Sequence, residues 1–153
     1  MDVHLAPERL DVVAAVHGVG HRLARCDAAW KHRPIKHLAL PVTDQEASRR
    51  FYETYFGFGA EPARRYDGGV LMLYNAEGFS LALGPADDPP RLPSFLHFGI
   101  HLASREQVQE LAARLASDGV PIAERWDEPD YVSVKCLDPD GYVVEAAWEP
   151  HLR

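Results

Sequence analysis

The chain has 153 residues, 46% of them hydrophobic, which suits one domain with a real core. Its formal net charge is −7 and its sequence pI is about 5.5. That acidic balance argues against nucleic acid or an anionic membrane as the main partner, because both require basic surface.

Residues 1–33 read as an N-terminal extension. Asp2, Glu8 and Arg9 stand where a secretory signal would need an apolar stretch, so a cytoplasmic protein is expected. The segment APERLDVVAAVHGVGHRLARC could fold as a helix despite its two glycines. His17 and His21 have helical i, i+4 spacing there, and a solvated helix face explains it without a metal.

From residue 35 the chain states one pattern twice. IKHLALPV leads into TDQEASRRFYETYFGFG, and FLHFGIHL leads into ASREQVQELAARLASDG. His97 follows His37 by 60 residues, as Gly119 follows Gly59. Each copy opens with an apolar strand and passes into a helix. Thr43 with Glu46, and Ser104 with Gln107, fit capping boxes. The helix stripes are Ala47, Phe51 and Tyr55, then Val108, Leu111, Ala112 and Leu115. Gly59 and Gly119 suit helix exits, with Gly57 competing in the first copy. Further strands follow around 63–65, 70–74 and 79–83, and around 122–125, 131–137 and 142–148. The last turn is NAEG in one copy and DPDG in the other. The expected fold is therefore α+β. It has two βαβββ modules, 35–84 and 95–149, within a domain spanning 34–153. The proline-rich stretch PADDPPRLPS, residues 85–94, links them.

Glu145 interrupts an apolar final strand. Aligned from the last turn, Glu145 falls on the place that Ala82 holds in the first copy, while His37 and His97 share the first-strand place. Strand parity puts small residues on the faces of these three side chains: Ala39, Gly99 and Ala147. A buried carboxylate is costly unless it is paired or bound to metal. Two imidazoles and one carboxylate around a hollow make a three-donor metal site with open positions. The plainer alternative is a half-exposed Glu145 paired with a base, beside histidines satisfied in the core.

Other residues fall near this site. His101 shares the face of His97 and could act in acid–base chemistry or sit at the rim without a role. Tyr131, Ser133 and Lys135 alternate with Val132, Val134 and Cys136. The apolar set should pack under a helix. The polar set should then face the hollow, where Tyr131 could donate to a bound oxygen and Ser133 and Lys135 could hold substrate. Arg125 is a weaker candidate. Cys136 reads as a buried, inert thiol. It and Cys26 give no disulfide framework, which points to a reducing compartment.

IKHLALPVTDQEASRRFYETYFGF, LHFGIHL and DPDGYVVEAAW together resemble the vicinal oxygen chelate superfamily. That superfamily includes glyoxalase I, bleomycin-resistance proteins, extradiol dioxygenases and fosfomycin-resistance enzymes. The resemblance covers residues 35–149. It implies a cup-shaped, partly closed β-barrel with flanking helices around one divalent ion: Fe(II), Mn(II), Zn(II), Ni(II) or Co(II). The ligand positions it carries over are His37, His97 and Glu145. The fourth, often a carboxylate in glyoxalase I, is Ala82 here. The resemblance therefore implies an enzyme acting on a small molecule that chelates metal through oxygen, most like an extradiol dioxygenase or a resistance enzyme. A metal-free drug- or metabolite-binding protein of the bleomycin-resistance type is the alternative. The resemblance also implies a homodimer, while the acidic charge argues against a nucleic-acid or membrane partner.

Overall fold

The computed structural model describes residues 34–93 and 95–150. The extension with His17, His21 and Cys26 lies outside the described residues.

Each module builds one four-stranded mixed sheet with one helix. In the first, β1 (His37–Val42) pairs in parallel with β4 (Ser80–Pro85). Antiparallel β3 (Leu71–Tyr74) and the short β2 (Arg64–Arg65) follow, giving the order β1-β4-β3-β2. The second repeats this order as β5-β8-β7-β6, with β5 (Phe98–His101), β6 (Ile122–Glu128), β7 (Tyr131–Leu137) and β8 (Val143–Trp148). A parallel pairing of the first and last strands requires a crossover, which α1 (Gln45–Tyr55) and α2 (Arg105–Ser117) supply. The α+β reading with two βαβββ modules is borne out, and the two sheets stay separate without closing into a full barrel. β1 and β5 are edge strands of their sheets, and no hydrogen-bond ladder joins them.

The order of the residues along this seam fixes its sense. One hollow is lined by Leu38 to Pro41 on one side and His97 and Phe98 on the other. A second is lined by His37 and Leu38 together with Phe98, Gly99 and Ile100. The edges thus run antiparallel about Leu38 and Phe98, which are themselves equivalent in the repeat.

The apolar parity of the strands packs under the helices as expected. Val132, Val134 and Cys136 of β7 are buried, and α2 covers β7 and β8. Burial pushes the Cys136 thiol up to about 12, leaving it protonated and inert. Ser104 does cap α2, accepting from the Gln107 amide. The first cap differs from the expectation. Asp44, not Thr43, accepts from the Glu46 and Ala47 amides. The buried stripe of α1 is accordingly Ser48, Phe51 and Tyr52. Gly57, at φ +69°, takes the left-handed exit position directly after the helix cap.

Thr43 is used elsewhere. Its amide and hydroxyl both donate to Asp140 Oδ1, at 3.0 and 2.6 Å. Asp138, in the same DPDG turn, accepts from the Tyr52 hydroxyl of α1 at 2.8 Å. Tyr142 returns a hydroxyl bond to the Pro41 carbonyl, also at 2.8 Å. The turn that leads into β8 is therefore a clasp on the first module.

Candidate metal centre

β8 lies inside the second sheet, between β5 and β7. It carries Glu145, 8% exposed, among the buried Val144, Ala146 and Ala147. The two carboxylate oxygens have different partners. Oε2 lies 3.2 Å from His97 Nε2, and Oε1 accepts from the Tyr131 hydroxyl at 2.7 Å. Gly99 stands opposite Glu145 in the β5–β8 register. A Cβ there would come within 3.4 Å of Oε2, so the glycine keeps the space beside that oxygen free.

The protonation of His97 follows from its other nitrogen. Nδ1 is 2.8 Å from the Phe95 carbonyl, which can only accept. Nδ1 therefore carries the ring proton, and in the neutral imidazole Nε2 presents a lone pair. That lone pair faces a carboxylate oxygen. Two acceptors so placed repel unless positive charge lies between them. A second ring proton or a cation meets that need.

His37 is held in the same manner. The Ser80 hydroxyl donates to the Lys36 carbonyl at 3.2 Å, so its oxygen accepts from His37 Nδ1 at 3.1 Å. His37 Nε2 is left with a lone pair and no hydrogen-bond partner among the described residues. Fixing one nitrogen to orient the other is what outer partners do for metal-binding histidines.

The structure brings His97, Glu145 and Tyr131 together. It does not bring His37 to them within one chain. Among the described residues no three His, Cys, Asp or Glu side chains converge as a metal site. The antiparallel seam accounts for this, because His37 and His97 lie on opposite sides of its midpoint at Leu38 and Phe98.

Tyr131 donates to Glu145 itself. To reach it, the side chain crosses the register row of Ser133 and Ala147, small residues that are both buried. Burial pushes the Tyr131 phenol up, so it remains a proton donor through the neutral range. Ser133 Oγ, on a residue 2% exposed, is buried without a hydrogen-bond partner. Lys135 stands opposite Glu145 but is ion-paired with Glu124, whose hydrogen bond raises the lysine. His101 is exposed at the end of β5 beside Tyr55, Gly57 and Asn75, and no hydrogen bond among the described residues links it to Glu145. Arg125 pairs with Val134 and so takes the helix-side parity. Sequence reasoning missed Ser80 and the Phe95 carbonyl. Ser80 had a usable signal, its register opposite His37. A backbone carbonyl has none.

If Tyr131 orients Glu145 for a cation, Tyr131→Phe weakens metal binding by roughly 10–100-fold while the fold persists. Competition with a chelating dye checks this. An unchanged affinity would make the contact merely structural.

Residues 34–146 match the family model described as the Glyoxalase/Bleomycin resistance protein/Dioxygenase superfamily. The chain belongs to this superfamily. Among the superfamily's curated relatives, the uncharacterized protein PA2024 of Pseudomonas aeruginosa is 34% identical over 74% of this chain and 87% of its own length. Metallothiol transferase FosB of Lysinibacillus sphaericus is 30% identical over 72% of this chain and 79% of its own. A solved structure of the Listeria monocytogenes fosfomycin resistance protein FosX (a point mutant, complexed with Mn(II) and a dihydroxypropylphosphonic acid) superposes with a TM-score of 0.62. It covers 74% of this chain and 90% of that one at 17% identity, which shows the shared fold. Among the described residues no helix is long and apolar enough to cross a membrane.

Proposed function

We propose that this protein is a divalent-metal-dependent enzyme acting on a small molecule that chelates the ion through oxygen atoms. The observation that carries the reading is the facing of His97 Nε2 and Glu145 Oε2 at 3.2 Å while Nδ1 is committed to a carbonyl. The donor set suits a borderline cation such as Fe(II), Mn(II), Zn(II), Ni(II) or Co(II). Such an ion supplies Lewis acidity to substrate oxygens at its open positions. The protein orients the donors through Ser80, Phe95 and Tyr131, and Gly99 leaves room for the ion.

Two donors are few for a tight site. The third is His37, reaching the pair from a second copy of the chain. The oriented but unpartnered Nε2 of His37 supports this, as does the open face of each sheet. In a twofold dimer, the same contact made twice gives two sites, each with His37 from one copy and His97 with Glu145 from the other.

Mixing variants tests the arrangement. His37→Ala and Glu145→Ala should each lose metal alone. Refolded together at equal concentration, they should regain about a quarter of an ion per chain, since half of the dimers would hold one intact site. Elemental analysis reads the result. No recovery, from a mixture shown to contain mixed dimers, would place all three donors in one chain or remove His37 from the set.

The relatives favour chemistry over simple binding: FosB is named a metallothiol transferase. A drug-binding protein would instead take an aromatic or peptide-like ligand with no metal present.

A further inference from the structure

Tyr131 reaches Glu145 from a place where its own sheet holds it weakly. The β7–β8 ladder ends with Val132 opposite Trp148, so Tyr131 stands one residue beyond it. Its register partner is Glu128 of β6, at the last rung of the β6–β7 hairpin. A side chain that reaches so far along a sheet turns a small tilt of the hairpin end into a larger displacement of its hydroxyl. The bond to Glu145 Oε1, at 2.7 Å, tolerates little of that.

The hairpin end is held from the helix side of the sheet. Arg105, the first residue of α2, donates from Nη1 to Asp127 Oδ1 and from Nη2 to the Glu128 carbonyl. Its guanidinium lies 5.9 Å from the centre of the Trp148 ring. Gln109, one helical turn on, donates to Asp127 Oδ2 at 3.1 Å. One side chain thereby ties the start of α2 to the ends of β6 and β8. The planar guanidinium fork suits two acceptors at a fixed angle, which a flexible ammonium would not hold.

The first module carries a similar tie without the tyrosine. Gln45 opens α1 as Arg105 opens α2, 60 residues earlier. Its Nε2 donates to the Gly69 and Leu83 carbonyls, at 2.7 and 2.6 Å. The ladders set Met72 opposite Ala82 and Lys135 opposite Glu145. Counted back from those rungs, the place of Tyr131 falls on Gly68. Where the carboxylate is absent, the tyrosine is absent too, and the tie is a neutral amide. Where both are present, the tie is a two-pronged cation.

We propose that Arg105 is a positioning residue: it fixes the β6–β7 hairpin end so that the Tyr131 hydroxyl meets Glu145. The effect on metal binding rests on the reading given above, but the placing of Tyr131 by Arg105 does not.

The test uses the full chain labelled with fluorotyrosine. Fluorine NMR then reports on six tyrosines, and the signal lost in Tyr131→Phe identifies Tyr131. In metal-free protein, Arg105→Ala should move the Tyr131 signal toward its position in unfolded chain. The other five signals should stay in place, which shows that the fold persists. Arg105→Gln gives α2 the residue that opens α1, restores a donor to the Glu128 carbonyl, and should hold the signal near its parent position. Arg105→Ala should also weaken Mn(II) binding about three- to tenfold, less than the roughly 10–100-fold expected for Tyr131→Phe. In the Tyr131→Phe background it should change the affinity no further. If the parent protein binds no metal, the metal reading fails, and the fluorine signal alone decides the role of Arg105. An unmoved Tyr131 signal in Arg105→Ala, or an equal loss of Mn(II) affinity with and without the Tyr131 hydroxyl, would overturn the proposal.

Discussion

Replacing Glu145 with alanine is expected to abolish tight metal binding and leave the metal-free protein as stable as before, or more so. The loss in affinity should exceed the roughly 10–100-fold that removing an outer partner costs, because a donor itself is gone. The stability half of the expectation separates the metal reading from its rival. If His97 and Glu145 form a structural ion pair, breaking it strands a partly buried charge, at a cost of about 3–5 kcal/mol. If they are two donors awaiting a cation, the metal-free protein holds two acceptors face to face, and deleting one relieves repulsion. Thermal unfolding in a chelator, set beside elemental analysis, distinguishes the two. A large drop in melting temperature without any metal in the parent protein would sink the metal site.

Asp138→Ala should cost far more stability than any change on the open sheet face. Asp138 is buried and accepts from the Tyr52 hydroxyl and from the Asp140 and Tyr142 amides, at 2.8 to 3.0 Å. Alanine would leave these donors without partners, at about 1–3 kcal/mol for each buried one, or about 3–5 kcal/mol together. The melting temperature should fall by roughly 10 °C or more. Asp138→Asn keeps one acceptor oxygen for the two amides and should lose much less. Burial raises the Asp138 carboxyl above its ordinary range. A carboxyl raised in the folded state stabilises most below its unfolded pKa, and that contribution is lost as pH rises through the folded value. The Asp138 contribution should therefore decline from acid toward neutral pH, so the stability difference between the parent and Asp138→Asn should shift in favour of the variant as pH rises. Denaturant melts across this range would check it, and a variant as stable as the parent would show that the clasp carries little.

The repeat was legible because each module folds almost entirely upon itself. Parity along β7 and β8 placed Glu145, Tyr131 and Lys135 on one face, and the ladder agrees. Stripe and cap reading missed by one residue in α1. There Thr43 and Asp44 are both good caps by chemistry, and only the distant Asp140 decides which of them is free to serve. The same limit applies to the candidate site. Equivalence in the repeat says that His37 and His97 occupy like positions, but not that they meet. Their separation depends on how β1 and β5 abut, which is set by side chains such as Leu38, Phe98 and Tyr52 and has no period in the sequence. Lys135 looked free to hold an anion because its partner, Glu124, lies on a strand whose register shifts at a bulge between Ile122 and Glu124.

Ala82 is buried at the place where the second module keeps its carboxylate. With two neutral imidazoles and a single carboxylate, a doubly charged ion held by His37, His97 and Glu145 would retain one unit of positive charge. A second carboxylate at position 82 would have cancelled it. That residual charge is left for the bound molecule, favouring ligands that arrive as, or become, singly ionised oxygen acids.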